Sequence, residues 1–457
     1  MRYSVLLLSR LVTTIGDVTW EAGFALVLYV ILGDAKPVFL VQAVRYGVVL
    51  VVSLAFPSIA RVSLKSNIVL ALLAQCVFLA ACFYSTLRFV VTSTGEMNEY
   101  FYLACVFSAL QYAGARFMYS VIEKRTIDSI VEEVEQTQGQ RQRESKSGLL
   151  FTGTRLLSFF FIPKPSSELD AVEDGKSPLQ KRRELEQEFL TKSILATQAI
   201  ARAATFAGFT IWLSSLGDDD TARAYLLAAA TALIIVFALI NAATFFLEAV
   251  LLLGVVPSEA KQKRPAKSRW SDISKERLWR PLLVQSLLWF TVLYPGMALA
   301  ASLEEGKSIP IALSHKFWTV STILAFLGSI VALCLRRRLL KWCVTLQALF
   351  VVITCAGLQS GNPMVFFGAF VGSRFFLMSF DGLWRPFLRE RDEKIHRIVF
   401  SANELFSNSA LVAALGAGVL IGDDPVTMAW VSAGSIGLSA VCWWIIGEVD
   451  EWQKQKV

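Results

Sequence analysis

The chain has 457 residues, a formal net charge of +7, 55% hydrophobic residues and only 18% charged ones, with a mean hydropathy of +0.54. Soluble domains carry about 25% charged residues, so the composition excludes an ordinary soluble enzyme and reads as a chain that crosses a bilayer many times. The seven cysteines (Cys76, Cys82, Cys105, Cys334, Cys343, Cys355 and Cys442) form no CxxC pair, which argues against a disulfide scaffold or a zinc cluster.

The first stretch, Leu6 to Leu32, is long enough to span, since a membrane helix needs about 20 residues. No small-residue cleavage site follows it, so it is read as a first span and not a signal peptide. It carries Asp17 and Glu21, with Thr13 one turn before them. A spacing of four and four puts all three on one helical face. Carboxylates are costly in hydrocarbon, so they face a bundle interior or a wet path. The stripe suggests a place where a cation stops on its way across.

Further apolar runs predict about twelve spans. Six lie near 6–32, 37–60, 66–90, 99–122, 191–215 and 222–254, and six near 279–303, 309–335, 339–357, 363–387, 398–421 and 425–447. This sets an all-α membrane protein with an N-terminal lobe over 1–256, a basic linker over 257–278 and a C-terminal lobe over 279–457. Two six-helix lobes around a central path are the outline of a major facilitator bundle.

Lys and Arg collect on one side: Arg61, Lys65, the 124–192 loop, the linker, Arg336 to Arg338, and Arg385 to Arg397. The opposite loops are acidic or small, among them Asp218 to Asp220 and Glu304-Glu305. The basic side, with both termini, is expected in the cytosol. The basic charge thus belongs to loops and implies no nucleic-acid partner. The insertion over about 124–190 is rich in Glu, Gln, Lys, Arg and Ser and reads as a disordered or charged-helical loop. Within it, Leu149 to Pro163 is short for a span and suits the membrane interface.

Span six offers Asn241, Thr244, Phe245 and Glu248 on one face, and span three offers Gln75. Carboxylate, amide and hydroxyl oxygens suit a hard or borderline divalent cation. Taken alone, Gln75 or Thr244 would be an interhelical hydrogen bond, worth roughly 0.6 kcal/mol. For Asp17 and Glu248 the structural reading is weaker, because no basic residue of spans one or six is expected at their depth.

These motifs resemble the ferroportins, the iron-exporting branch of the major facilitator folds. Arg10 to Trp20, RLVTTIGDVTW, looks like their R-L-x-T-x-x-G-D-x-x-W opening. Asn241, Thr244 and Glu248 look like W-N-L-V-S-x-x-x-E, with Ile240 in place of Trp. Ile122-Glu123-Lys124, WFTVLYP at Trp289 to Pro295, SRFFLMSFDGL at Ser373 to Leu383, and Arg397 match further motifs in the same order. The resemblance implies a monomeric, multi-pass exporter of a divalent metal by alternating access, Fe²⁺ first, with Co²⁺ or Ni²⁺ close behind. It places Asp17, Gln75, Asn241 and Glu248 around one divalent cation, which in some members is an activating Ca²⁺. It places Thr13, Asp17, Asn241, Thr244 and Phe245 beside the transported iron in bacterial members.

The departures are equally specific. The acid that closes the family's second span and the R-R-I-D motif of its fifth are missing. In the broken seventh span, Gly296 and Met297 stand where the family commonly has Cys or His. A thioether is a poor ligand for a divalent ion, so the second-lobe site reads as degraded.

Arg374 and Asp381, seven apart on span ten, are expected to form a structural ion pair lining the cavity, since buried charges are usually paired. Glu404 is open between a proton or ion role and a gate contact. Glu390 and Arg397 sit in a solvated loop with gating value. The rival readings are a proton-coupled facilitator for an organic solute and a non-transporting receptor or scaffold that works through the 124–190 loop. No phosphate loop, HExxH or Gly-x-Ser-x-Gly is present, so no enzyme is expected.

Overall fold

The computed structural model describes residues 2–32, 36–59, 63–92, 96–118, most of 122–131, 178–216, 219–255, 278–290, 311–335, 339–389, 393–421 and 425–446, with a few isolated positions. The helices are α1 (Arg2–Leu32), α2 (Lys36–Ser53), the short α3 (Phe56–Ile59), α4 (Leu64–Thr92), α5 (Glu99–Phe117), α6 (Pro178–Ser214) and α7 (Asp219–Val255). Then follow α8 (Trp279–Leu287), α9 (Ile311–Cys334), α10 (Leu340–Gln359), α11 (Pro363–Arg389), α12 (Glu393–Ile421) and α13 (Pro425–Ile446).

Setting α3 aside, each helix coincides with one expected span, the seventh only through α8. Among the described residues, seven helices are long and apolar enough to cross a membrane, and shorter apolar helices cover Leu40–Ser53 and Thr319–Ala332. A helix is the form such runs must take in hydrocarbon, because it satisfies its own backbone. The outer faces confirm the solvent: Phe246 is 73% and Ile445 76% exposed, which suits lipid and not water. The chain is a multi-pass membrane protein.

Helix ends follow local chemistry. The Asn98 side chain caps α5 by accepting from the Phe101 N–H at 3.2 Å, and Glu99 in the first turn complements the helix dipole. Gly361, at φ +65°, turns the chain out of α10, while the Asn362 N–H reaches back to the Gly357 carbonyl at 2.9 Å. That is the paired closure a left-handed glycine permits. Pro363 then opens α11 where no donor is needed.

Apolar side chains cluster by half. One core holds Leu282, Val344, Phe380, Trp384, Val399 and Trp443 from the second half, and takes Tyr46 from the first. The first half builds its own, around Trp20, Phe24, Phe101 and Phe245 on one level and around Leu6, Ile68 and Ile122 on another. Short α8 ends at Leu287, and two serines of α13 serve its carbonyls: Ser435 donates to Leu287 O at 2.9 Å and Ser439 to Val284 O at 2.8 Å.

The flanks of the expected 124–190 insertion belong to the bundle. Ile127, Ile130 and Val131 are buried with Leu190 and Ile194, and Gln187 Nε2 donates to Asp128 Oδ1 at 3.0 Å. Helix α6 starts at Pro178, well before the span expected from 191. Apolar residues at helical spacing on both flanks give that extension a packing partner. Leu149 to Pro163 lies outside the described residues.

Candidate functional site

The site grows from the packing of α1 on α7. The two helices run antiparallel. A Cβ placed on Gly16 would meet the Thr244 side chain and lie 3.0 Å from Asn241 Oδ1, and one on Gly23 would meet the Phe237 ring. Small residues allow this approach, and they bring Asp17 to the level of Asn241. On α7 the inward face holds Asn241, Phe245, Glu248 and Leu252, all buried, while Ile240, Phe246 and Leu247 point outward.

Deeper toward the basic loops sits a fully buried charge group. Arg10 has 0% side-chain exposure and reaches two acids, Glu248 at 3.0 Å and Glu123 at 3.2 Å. The expectation that no basic residue of span one matches the depth of Glu248 is therefore wrong. Arg10 is seven residues before Asp17, Glu248 seven after Asn241, and antiparallel packing sets those offsets level. Thr13 sits beside the Glu248 carboxylate and donates its hydroxyl to Ser9 O at 2.9 Å.

Glu21 does not join this group. It takes bonds from Gln42 and Arg45 of α2, each at 3.3 Å, and its side chain is 39% exposed. Arg45 is clamped by Ser108 of α5 at 2.7 and 2.9 Å and by the Phe24 and Tyr112 rings. The stripe Thr13–Asp17–Glu21 thus serves two neighbours, its upper end facing α2.

Several buried polar atoms meet no protein partner. Both amide atoms of Gln75, both of Asn241, and Glu248 Oε2 lack a hydrogen bond. Gln75 packs its stem on Gly114 of α5. An orphaned buried polar group costs about 1–3 kcal/mol, so these atoms call for an occupant such as an ion, water or solute. No group of three or more His, Cys, Asp and Glu with metal-binding geometry occurs among the described residues, so any ion here would rely on amides and hydroxyls beside its acids.

The second half is organised differently. Asp381 pairs with Arg385, one turn on, at 2.8 Å, and not with Arg374. Arg374 lies over the Phe370 ring at 4.8 Å. Residues four apart are nearer on a helix than residues seven apart, which decides the partner. Glu404 makes a forked contact with Arg116 of α5, at 2.7 and 2.8 Å from Nη2 and 3.2 Å from Nε. Asn408 Nδ2 supports it at 3.3 Å from Glu404 Oε2. Met297 and Glu390 lie outside the described residues, as does the Arg397 side chain. Arg10, Glu123, Arg45 and Arg116 were not among the expected site residues. An Arg inside an apolar run was the available signal for Arg10.

No family model and no curated protein matches the chain. Among solved structures it is similar to a bacterial homologue of the iron transporter ferroportin. Against the outward-facing state with soaked iron, identity is 19%, coverage 99% of each chain and the TM-score 0.64. Against the inward-facing state, identity is 20%, coverage 96% of this chain and 97% of that one, and the TM-score 0.63. A structure described as a bacterial metal transporter matches at 18% identity over 99% and 98% of the two chains, TM-score 0.57. The major facilitator superfamily transporter FucP in its outward conformation matches at 10% identity over 94% and 97%, TM-score 0.56. The chain has the major facilitator fold.

Proposed function

We propose that this protein is a ferroportin-like transporter that moves a divalent transition metal, Fe²⁺ before Co²⁺ or Ni²⁺, by alternating access. The observation that carries the reading is the set of buried amide atoms on Asn241 and Gln75 that lack a hydrogen bond, with Asn241 packed against Gly16, the neighbour of Asp17. The whole-length likeness to an iron transporter's homologue and to a metal transporter supports the substrate class.

In this reading Asp17, Asn241, Thr244 and Thr13 touch the transported ion, with Phe245 as an apolar wall. Ca²⁺ as an activator would use Asp17, Gln75, Asn241 and Glu248, and would compete for the same pocket. Export with the basic loops in the cytosol moves two charges outward against about 100 mV, a cost of about 4.6 kcal/mol, so inward movement of protons or another cation would drive it. Met297 contributes little.

The test is a flux panel in proteoliposomes with Fe²⁺, Co²⁺, Ni²⁺, Ca²⁺ and organic cations. Saturable Fe²⁺, Co²⁺ or Ni²⁺ flux that Asp17→Ala removes is the expected result. Flux of an organic solute alone would move the chain to the rival class, and no flux at all would leave a receptor or scaffold.

A further inference from the structure

Arg45 is a cation buried inside the first half, and its short bonds go to α5. The Ser108 hydroxyl oxygen accepts from Arg45 Nη2 at 2.7 Å and from Nε at 2.9 Å. The guanidinium lies 5.8 Å from the Phe24 ring centroid and 5.9 Å from that of Tyr112. Glu21 is held more loosely. Its Oε1 accepts from Arg45 Nη1 and from Gln42 Nε2, each at 3.3 Å, which is longer than the roughly 2.7–2.9 Å usual for a charge-assisted bond. The two exposures differ as well: the Arg45 side chain is 2% exposed and that of Glu21 39%.

Helix α5 therefore sets where the guanidinium sits, whatever Glu21 does. Glu21 lies one turn beyond Asp17 on α1, about 6 Å nearer the acidic loops at 1.5 Å per residue. Helix α2 packs on α5 and also on α12 of the second half, and Tyr46, the residue after Arg45, belongs to the apolar core of that half. The pair thus stands at the seam between the halves, on the acidic-loop side of Asp17. An unscreened carboxylate there would hold a divalent ion a second time. If Glu21 left Arg45 to bind that ion, it would strand a buried guanidinium, which is strongly unfavourable.

We infer that Arg45 screens Glu21 and withholds it from the transported cation, so that α1 offers the ion one anionic stop, at Asp17. Arg45 is a positioning residue: it touches no ion and acts through Glu21. The Thr13–Asp17–Glu21 stripe presents three oxygen-bearing side chains, and Arg45 takes one of them out of use. An ion that met both carboxylates in turn would bind more tightly and leave more slowly. The inference rests on the reading that a divalent cation binds at Asp17.

Equilibrium Co²⁺ titration of the full-length protein in lipid nanodiscs tests it. Arg45→Gln frees Glu21 and should bind Co²⁺ at least about fivefold more tightly, because the acid's charge is no longer offset. Adding Glu21→Gln should return the affinity to within about threefold of the wild type, the mark of an effect that runs through Glu21. Structural damage alone would weaken binding, and a second substitution would not repair it. The inference is overturned if Arg45→Gln shows no such gain. It is overturned if the double variant keeps the gain, which would make Arg45 act on Asp17 directly. It is also overturned if the double variant falls below that limit, which would make Glu21 a ligand. Should Arg45→Gln fail to fold, the double variant, which leaves neither charge unpaired, is read alone against the same limit. A wild type that binds no Co²⁺ overturns the metal-transport reading as well, whereas wild-type binding with any of these failures overturns this inference alone.

Discussion

Gly16→Ala should damage the candidate site while adding only one methyl. The new Cβ would run into the Thr244 side chain and come within 3.0 Å of Asn241 Oδ1. Real Cβ contacts are looser, so α1 and α7 must separate or Thr244 must turn. Overpacking of this kind costs about 1–3 kcal/mol. Gly47 on α2 is the control, since a Cβ there meets nothing within 4 Å. There Ala gains up to about 1 kcal/mol of helix propensity. Thermal melting in detergent reads stability, and equilibrium metal titration reads the site. Gly16→Ala should lower the melting temperature and weaken metal binding at least about tenfold, or about 1.4 kcal/mol. Gly47→Ala should do neither. Adding Thr244→Ala to Gly16→Ala should restore part of the stability by removing the hydroxyl that is struck. Equal behaviour of Gly16→Ala and Gly47→Ala would refute the close approach of α1 and α7 on which the site depends.

Asp17→Ala should nearly abolish metal flux and lower affinity at least about tenfold, while Met297→Ala should cost much less; titration showing the reverse order would move the site to the seventh span. Arg10→Ala leaves Glu123 and Glu248 buried without their shared cation and should cost about 3–5 kcal/mol of stability. Glu248→Gln keeps Arg10 paired with Glu123 and should cost clearly less, and comparative melts that rank the two the other way would sink the pairing. Tags at residue 140, at residue 265 and at either terminus should report the cytosolic side, and tags at Asp219 or Gly422 the opposite one. A terminus found with Asp219 would break the span count.

The sequence by itself settled what depends on neighbours along the chain. Twenty-residue apolar runs have one low-energy form in hydrocarbon, so span positions and fold class were readable from hydropathy and the split of basic loops. Helical periodicity grouped Asn241, Phe245 and Glu248, and α7 buries that same face. What periodicity could not give was the partner of each charge. Arg10 and Glu248 stand 238 residues apart, and only the antiparallel register of α1 and α7, fixed by the glycine contacts, sets them level. Glu21 shares a stripe with Asp17, yet α2 supplies Arg45 to claim it. Asp381 had two cations on its own face, and reach along the helix selected Arg385. Glu404 was open between two roles because its forked partner comes from the other half of the molecule. Hydrophobic runs act locally and leave their mark in the sequence; buried ion pairs are chosen by distance in space, which the tertiary packing alone decides.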